Sequence, residues 1–181
     1  MGVNMIKKTA LFVLCVMLLQ NIATAKDTVK FTFPNEGWHS VVSPDGIKSK
    51  KCFVPANQTS ENYTEMLTLI QKPSKVSDMS ASAVLHRQLG KDRTNYRDII
   101  PEYVLRDLNN GIVTWCSRNN NICAVERAFQ GESGVILAIY TNRAPHYSQN
   151  MFGQWINNLG RLEVYNPQES NAEKNSSLIE L

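Results

Sequence analysis

Hydrophobic positions in the first half of the chain come in short alternating stretches separated by polar and turn-forming residues. Val29 to Phe33, Trp38 to Ser43, Ile47 to Val54 and Met66 to Ile70 carry the period of strands, with Pro44-Asp45-Gly46 as a turn between the second and third. Lys72-Pro73-Ser74 ends the fourth. Ala81, Val84, Leu85 and Leu89 then recur at helical spacing, which predicts a helix with Ser77 as N-cap and Asp78 in its first turn. Gly90 and the charged run KDRTNYRD are expected to release the chain toward Pro101.

From Glu102 onward the pattern returns to strands. Tyr103 to Asp107, Ile112 to Ser117, Ile122 to Gln130 and Val135 to Thr141 follow one another across turns at Asn109-Asn110-Gly111 and Gly131-Glu132-Ser133-Gly134, which predicts an antiparallel meander. GVILAIYT is apolar without alternation, as a central strand covered on both faces would be. Phe152, Trp155, Ile156 and Leu159 form an i, i+3, i+4, i+7 stripe, so a second helix is expected, capped by Ser148 and closed by Gly160 as a C′ residue. It would cover the face that the first helix leaves. Leu162 to Tyr165 reads as a last short strand. The polar stretch 167–181 is expected to be a disordered tail, dispensable for folding, with Leu178 to Leu181 as an apolar end able to dock. The fold class predicted is α+β: one domain over 26–166, an antiparallel sheet with amphipathic helices on both faces, an α/β/α sandwich.

The N-terminus changes the setting. Two lysines precede the apolar run ALFVLCVMLL, and Ala23-Thr24-Ala25 follows it, the layout of a signal peptide over residues 1–25. Leu14 stands before Cys15 where lipid attachment needs a small residue, and no later segment is apolar enough to cross a bilayer. The expectation is export to the periplasm or beyond, with no stable membrane anchor. Of 19 basic residues, Lys7 and Lys8 leave with the leader, so 17 face 16 acidic ones and no nucleic-acid partner is indicated. Lys48, Lys50 and Lys51 read as charges guarding an edge strand against aggregation.

Three cysteines then remain. A four-residue loop at 118–121 places Cys116 opposite Cys123 across a hairpin, where a disulfide is geometrically accessible and, in an exported protein, chemically expected; a bridge to Cys52 is the alternative. The Cys-x6-Cys spacing on strands does not match a redox pair at a helix start. His39, His86 and His146 are scattered singly, without the paired spacing of a metal site, and neither metal nor cofactor is indicated. GESG lacks the final glycine of a serine nucleophile elbow and leads into a strand, so it reads as a turn. Cys52 beside Phe53 and Val54 reads as a core thiol, and an enzyme built on His39, Glu36 and Cys52 is the alternative function.

The most distinctive stretch is CFVPANQTSENYTEMLTLIQ, residues 52–71, in which an apolar strand ending in Val-Pro leads through a polar, aromatic-bearing segment into another strand. It resembles a pattern in small uncharacterised exported bacterial proteins, with Tyr63 where that pattern carries tryptophan. The element order resembles the Mog1/PsbP-like sandwich, which implies a sheet with helices on both faces and protein binding without enzymatic chemistry. The function expected is therefore a non-enzymatic binding protein that engages a protein partner through its rigid sheet or through the loop ANQTSENYTEM. Glu61, Asn62 and Tyr63 are the candidate contact residues, an aromatic among small polar groups.

Overall fold

The computed structural model describes residues 27–34, 36–73, 80–143, 149–165 and 177–181. The leader over 1–25, the predicted caps Ser77 and Ser148, and residues 167–176 of the predicted tail lie outside them. Within the described residues are ten strands and two helices, all strand pairings antiparallel. The strands are β1 (Thr28–Phe31), β2 (His39–Val41), β3 (Lys50–Val54), β4 (Glu65–Pro73), β5 (Glu102–Arg106), β6 (Asn110–Ser117), β7 (Ile122–Gln130), β8 (Gly134–Asn142), β9 (Glu163–Val164) and β10 (Ser177–Glu180). The helices are α1 (Ala81–Asn95) and α2 (Gln149–Gly160).

Seven strands form one sheet in the order β2-β3-β4-β8-β7-β6-β5, which places β8, the continuous apolar run, fourth of seven. Its successive residues point to alternate faces. Val135 and Leu137 join Val84, Leu85 and Leu89 of α1 in one core cluster, while Ile136, Ala138 and Tyr140 join Phe152, Trp155 and Leu159 of α2 in another. The two helices therefore pack against opposite faces of the large sheet. On the α2 face, the Trp155 ring lies on Tyr140 with centroids 3.9 Å apart and meets Trp38 edge-on at 5.4 Å.

The sheet is not single, as the sequence pattern suggested. β1 and β9 leave the meander and join β10 in a second sheet of order β10-β1-β9. Thr28 partners Glu180 and Phe31 partners Ser177, and Ile179 and Leu181 are buried against the α2 side of the core. The expectation of a disordered tail thus fails over 177–181. Its polar composition conceals an alternation, Leu178 out and Ile179 in, that suits a strand with one buried face.

Both helix ends also differ from expectation. Ser80 is the N-cap of α1, its hydroxyl accepting from Ala83 N at 3.3 Å, and the helix runs straight through Gly90 to Asn95. In α2, Gly160 is the last helical residue rather than a left-handed C′. The α2 C-terminus is instead satisfied from the sheet. Arg127 Nη1 donates to the carbonyls of Leu159 and Leu162, both at 2.5 Å, and Nε donates to Asn110 Oδ1 at 2.9 Å. A buried guanidinium at the negative end of a helix dipole takes the place of a glycine cap. Burial pulls its pKa down to about 10.

Cys116 partners Cys123 in the β6·β7 ladder, with Cα atoms 4.0 Å apart and the two sulfurs bonded as a disulfide. Cys52 is a free, buried thiol. Gly131 and Gly134 make the tight β7–β8 turn, with Gly131 N donating to Gly134 O at 2.7 Å, as the turn reading of GESG requires.

Candidate functional site

The large sheet is too wide for one helix. Seven strands span about 29 Å at ~4.8 Å per interval, and a helix with its side chains covers about 10 Å. On the α2 face the small sheet shares the work, but on the other face α1 packs chiefly over β6, β7 and β8. Gly111 on β6 sharpens this placement: a Cβ there would stand 2.9 Å from Leu85 Cδ2, so the missing side chain lets α1 approach. The surface of β3 and β4 beside α1 is left to be roofed by loops. The result is a cavity of about 420 Å³, within the range of small-ligand sites.

Its floor is a row of side chains in register across four strands: Cys52 on β3, Thr68 on β4, Ile139 on β8 and Glu126 on β7. One wall is α1, through Gln88, Lys91, Asp92 and Asn95. The opposite wall is the turn before β3, where Asp45 accepts from Ser43 Oγ at 2.5 Å and from Lys50 Nζ. These two donors bring the Asp45 pKa down to about 2. Tyr63, Met66 and Thr141 close one end.

The most unusual group here is Glu126, with 0 % of its surface exposed at the centre of the sheet. Its Oε1 accepts from Trp115 Nε1 at 2.8 Å. Its Oε2 has no ordinary donor among the described residues and faces Asp92, which occupies the next position of the α1 apolar stripe after Leu85 and Leu89. Two carboxylates in contact away from water cannot both ionise. Burial first, then the Asp92 charge, pushes the Glu126 pKa well above the usual carboxyl range, and burial raises Asp92 too. Burial thus favours a neutral carboxyl in this pair, and Asp92 accepts from Gln88 Nε2 at 3.1 Å. Trp115 and Glu126 on the sheet meet Asp92 and Gln88 on α1 in one polar cluster at the helix–sheet contact.

Cations gather on the β3–β4 side of this pair, with Lys91 beside Asp92 on α1. Lys50, Lys72 and Lys91 all line the cavity. Lys72 is half-buried and its pKa is lowered, first by that burial and then by Lys91 and Lys50. β2 covers β3 only at Cys52 to Val54, so Lys50 and Lys51 lie on the part of β3 whose outer edge is unpaired, and Lys50 turns toward the cavity.

The candidate contact loop adjoins the cavity. Gln58 bridges its base, Oε1 accepting from Thr64 N at 2.7 Å and Nε2 donating to Thr64 Oγ1 at 2.9 Å. Asn62 Oδ1 accepts from Thr59 N at 2.7 Å and Thr59 Oγ1 at 3.0 Å, so Asn62 spends its carbonyl on shaping the loop. Glu61 and Asn62 are exposed. Tyr63 is half-buried, with the Arg143 guanidinium 4.2 Å from its ring centroid and its phenol pKa raised by burial.

The alternative trio is not gathered. Cys52 is on the cavity floor, 1 % exposed and 3.7 Å from Thr68 Oγ1, while Glu36 and His39 are exposed and neither lines the cavity. Asp92, Glu126, Lys72 and Lys91 are the site residues that sequence reasoning passed over. Two signals point to them: the adjacent charges Glu126-Arg127 inside a strand flanked on both sides, and a helical stripe that continues past Gly90 onto Asp92. A second cavity, of about 560 Å³, lies beside Arg118 and Asn119; its buried lining residues, Thr114, Trp115 and Phe152, carry no ionisable group. No protein-family model matches the chain, and no curated protein matches its sequence.

Proposed function

We propose that the chain is an exported, non-enzymatic binding domain of the Mog1/PsbP-like α/β/α sandwich type, working in the periplasm or outside the cell. It engages a protein partner through the loop over residues 56–66. The observation that carries this reading is the loop's own construction. Gln58, Thr59, Asn62 and Thr64 tie it internally, Arg143 N donates to Thr64 O at 2.6 Å, and Asn57 takes a left-handed φ of 65° to let it turn. A loop held before contact loses little conformational freedom on binding, which favours affinity for a given contact area. Tyr63, braced by Arg143, is its aromatic anchor, with Glu61 and Asn62 at the exposed tip.

The test is affinity capture with the oxidised protein from periplasmic extract, culture medium and host lysate, wild type against Tyr63→Ala and Glu61→Lys. A partner retained by wild type and lost from both variants supports the reading. Equal recovery with all three baits, or turnover of a small substrate with no partner recovered, overturns it.

A further inference from the structure

The cavity behind the loop has a charge layout that partner recognition at the loop does not use. We propose that it is a binding site for a small amphipathic carboxylate, with the anionic head between Lys72 and Lys91 and the apolar body along Ile70 and Ile139 toward Tyr63. This site goes beyond the partner-binding reading and does not depend on it.

Three observations carry the assignment. The first is charge. Three lysines line the cavity; Asp45 is taken by Lys50, and Asp92 stands next to Lys91 on α1 and feels its charge. That leaves Lys72 and Lys91, neither with a salt-bridge partner among the described residues. Like charges held close around a partly buried space are relieved by an anion placed between them. The half-buried position of Lys72 makes such a contact stronger than one on an open surface.

The second is position. The acid pair that would repel an anion stands in the Glu126 row, which crosses β4 at Thr68. Lys72 is four residues further along β4, about 13 Å away at ~3.3 Å per residue. The shared proton leaves that pair with one negative charge instead of two. Lys72 therefore holds the head away from Glu126, while Lys91 offsets the charge of its neighbour Asp92, and Ile70 and Ile139 line the space toward Thr68. An elongated ligand with one charged end fits this axis; a compact inorganic anion would leave the apolar part unfilled.

The third is the far end. Glu126 is fully buried, and Tyr63, Met66 and Trp115 supply apolar surface beside it for a hydrocarbon tail.

The experiment is calorimetric titration of the oxidised protein at pH 7 and low salt with octanoate, octylamine and octanol, repeated with Lys72→Gln, Lys91→Gln and the double variant. Saturable octanoate binding is expected, at least tenfold tighter than octanol, with none for octylamine. Lys91→Gln, at an exposed position that leaves the fold intact, should weaken octanoate at least threefold, and the double variant at least tenfold, without changing octanol. Octanoate binding indifferent to the lysines, a preference for octylamine, or no saturable octanoate binding up to millimolar concentration each overturns the proposal. Loss of the protein partner on Glu61→Lys with octanoate binding retained, or loss of octanoate in the double lysine variant with the partner retained, tells the two proposals apart.

Discussion

Ile179→Ala tests whether residues 177–181 belong to the folded domain. Ile179 is 7 % exposed and sits in the core cluster that contains Val29, Phe31, Trp155 and Leu162, whereas its neighbour Leu178 points outward and is 53 % exposed. Truncating a buried isoleucine to alanine costs about 2–5 kcal/mol, and the lower half of that range applies in a three-stranded sheet that can partly close over the gap. For a chain of this size, 1 kcal/mol shifts the melting temperature by about 3 °C, so a fall of about 6–10 °C is expected. Leu178→Ala should change it by no more than about 1.5 °C, because exposed substitutions stay within roughly 0.5 kcal/mol. Thermal unfolding followed by circular dichroism on wild type and both variants gives the answer. Equal melting temperatures for all three proteins would refute the docked strand. Equal losses at 178 and 179 would refute the alternation.

Glu126→Gln keeps an acceptor for Trp115 and a permanent donor for Asp92. The folded-state pKa of Glu126 lies above the unfolded value of about 4.3, so the folded state binds the extra proton and stability is lost as pH rises through the raised value. The variant should remove that loss, giving a higher urea midpoint than wild type above the window; parallel midpoint curves between pH 4 and 8 would count against the shared proton. Replacing Cys116 and Cys123 together by serine should lower stability by about 2.5 kcal/mol at most, the chain-entropy value for an eight-residue loop, read from the guanidinium midpoint. A wild type equally stable with and without reductant would show the staple to be inert.

Periodicity located the large sheet well because each of its strands alternates or is doubly covered. The meander, the Cys116–Cys123 partnership and the apolar stripes of both helices were all legible from spacing alone. What escaped was decided by partners distant in sequence. β10 looks like tail because only Ile179 and Leu181 are buried, and their burial depends on β1 and α2. The helix past Gly90 was obscured because one glycine costs only about 1 kcal/mol, which the contacts of Asp92 and Gln88 offset. The cavity arises from a mismatch of widths, one helix against seven strands, that exists only once the sheet is assembled. Cys52 was placed correctly as a core thiol, but its face, the floor of the cavity, depended on the register with Thr68.

The meeting of β1 with β10 has a consequence for how the molecule comes into being. Thr28 and Glu180 are neighbours in space and lie near the two ends of the described chain, so closing the small sheet means closing a loop of most of its length. The seven-stranded sheet can be completed once β8 has been added, because β4 joins the β5–β8 meander through β8. The roof over Phe31 and Trp155 cannot be completed before residue 181 has been added. A chain that lacks residues 177–181 therefore carries a half-covered aromatic face, and these residues act as the latch that separates an adhesive intermediate from the covered core.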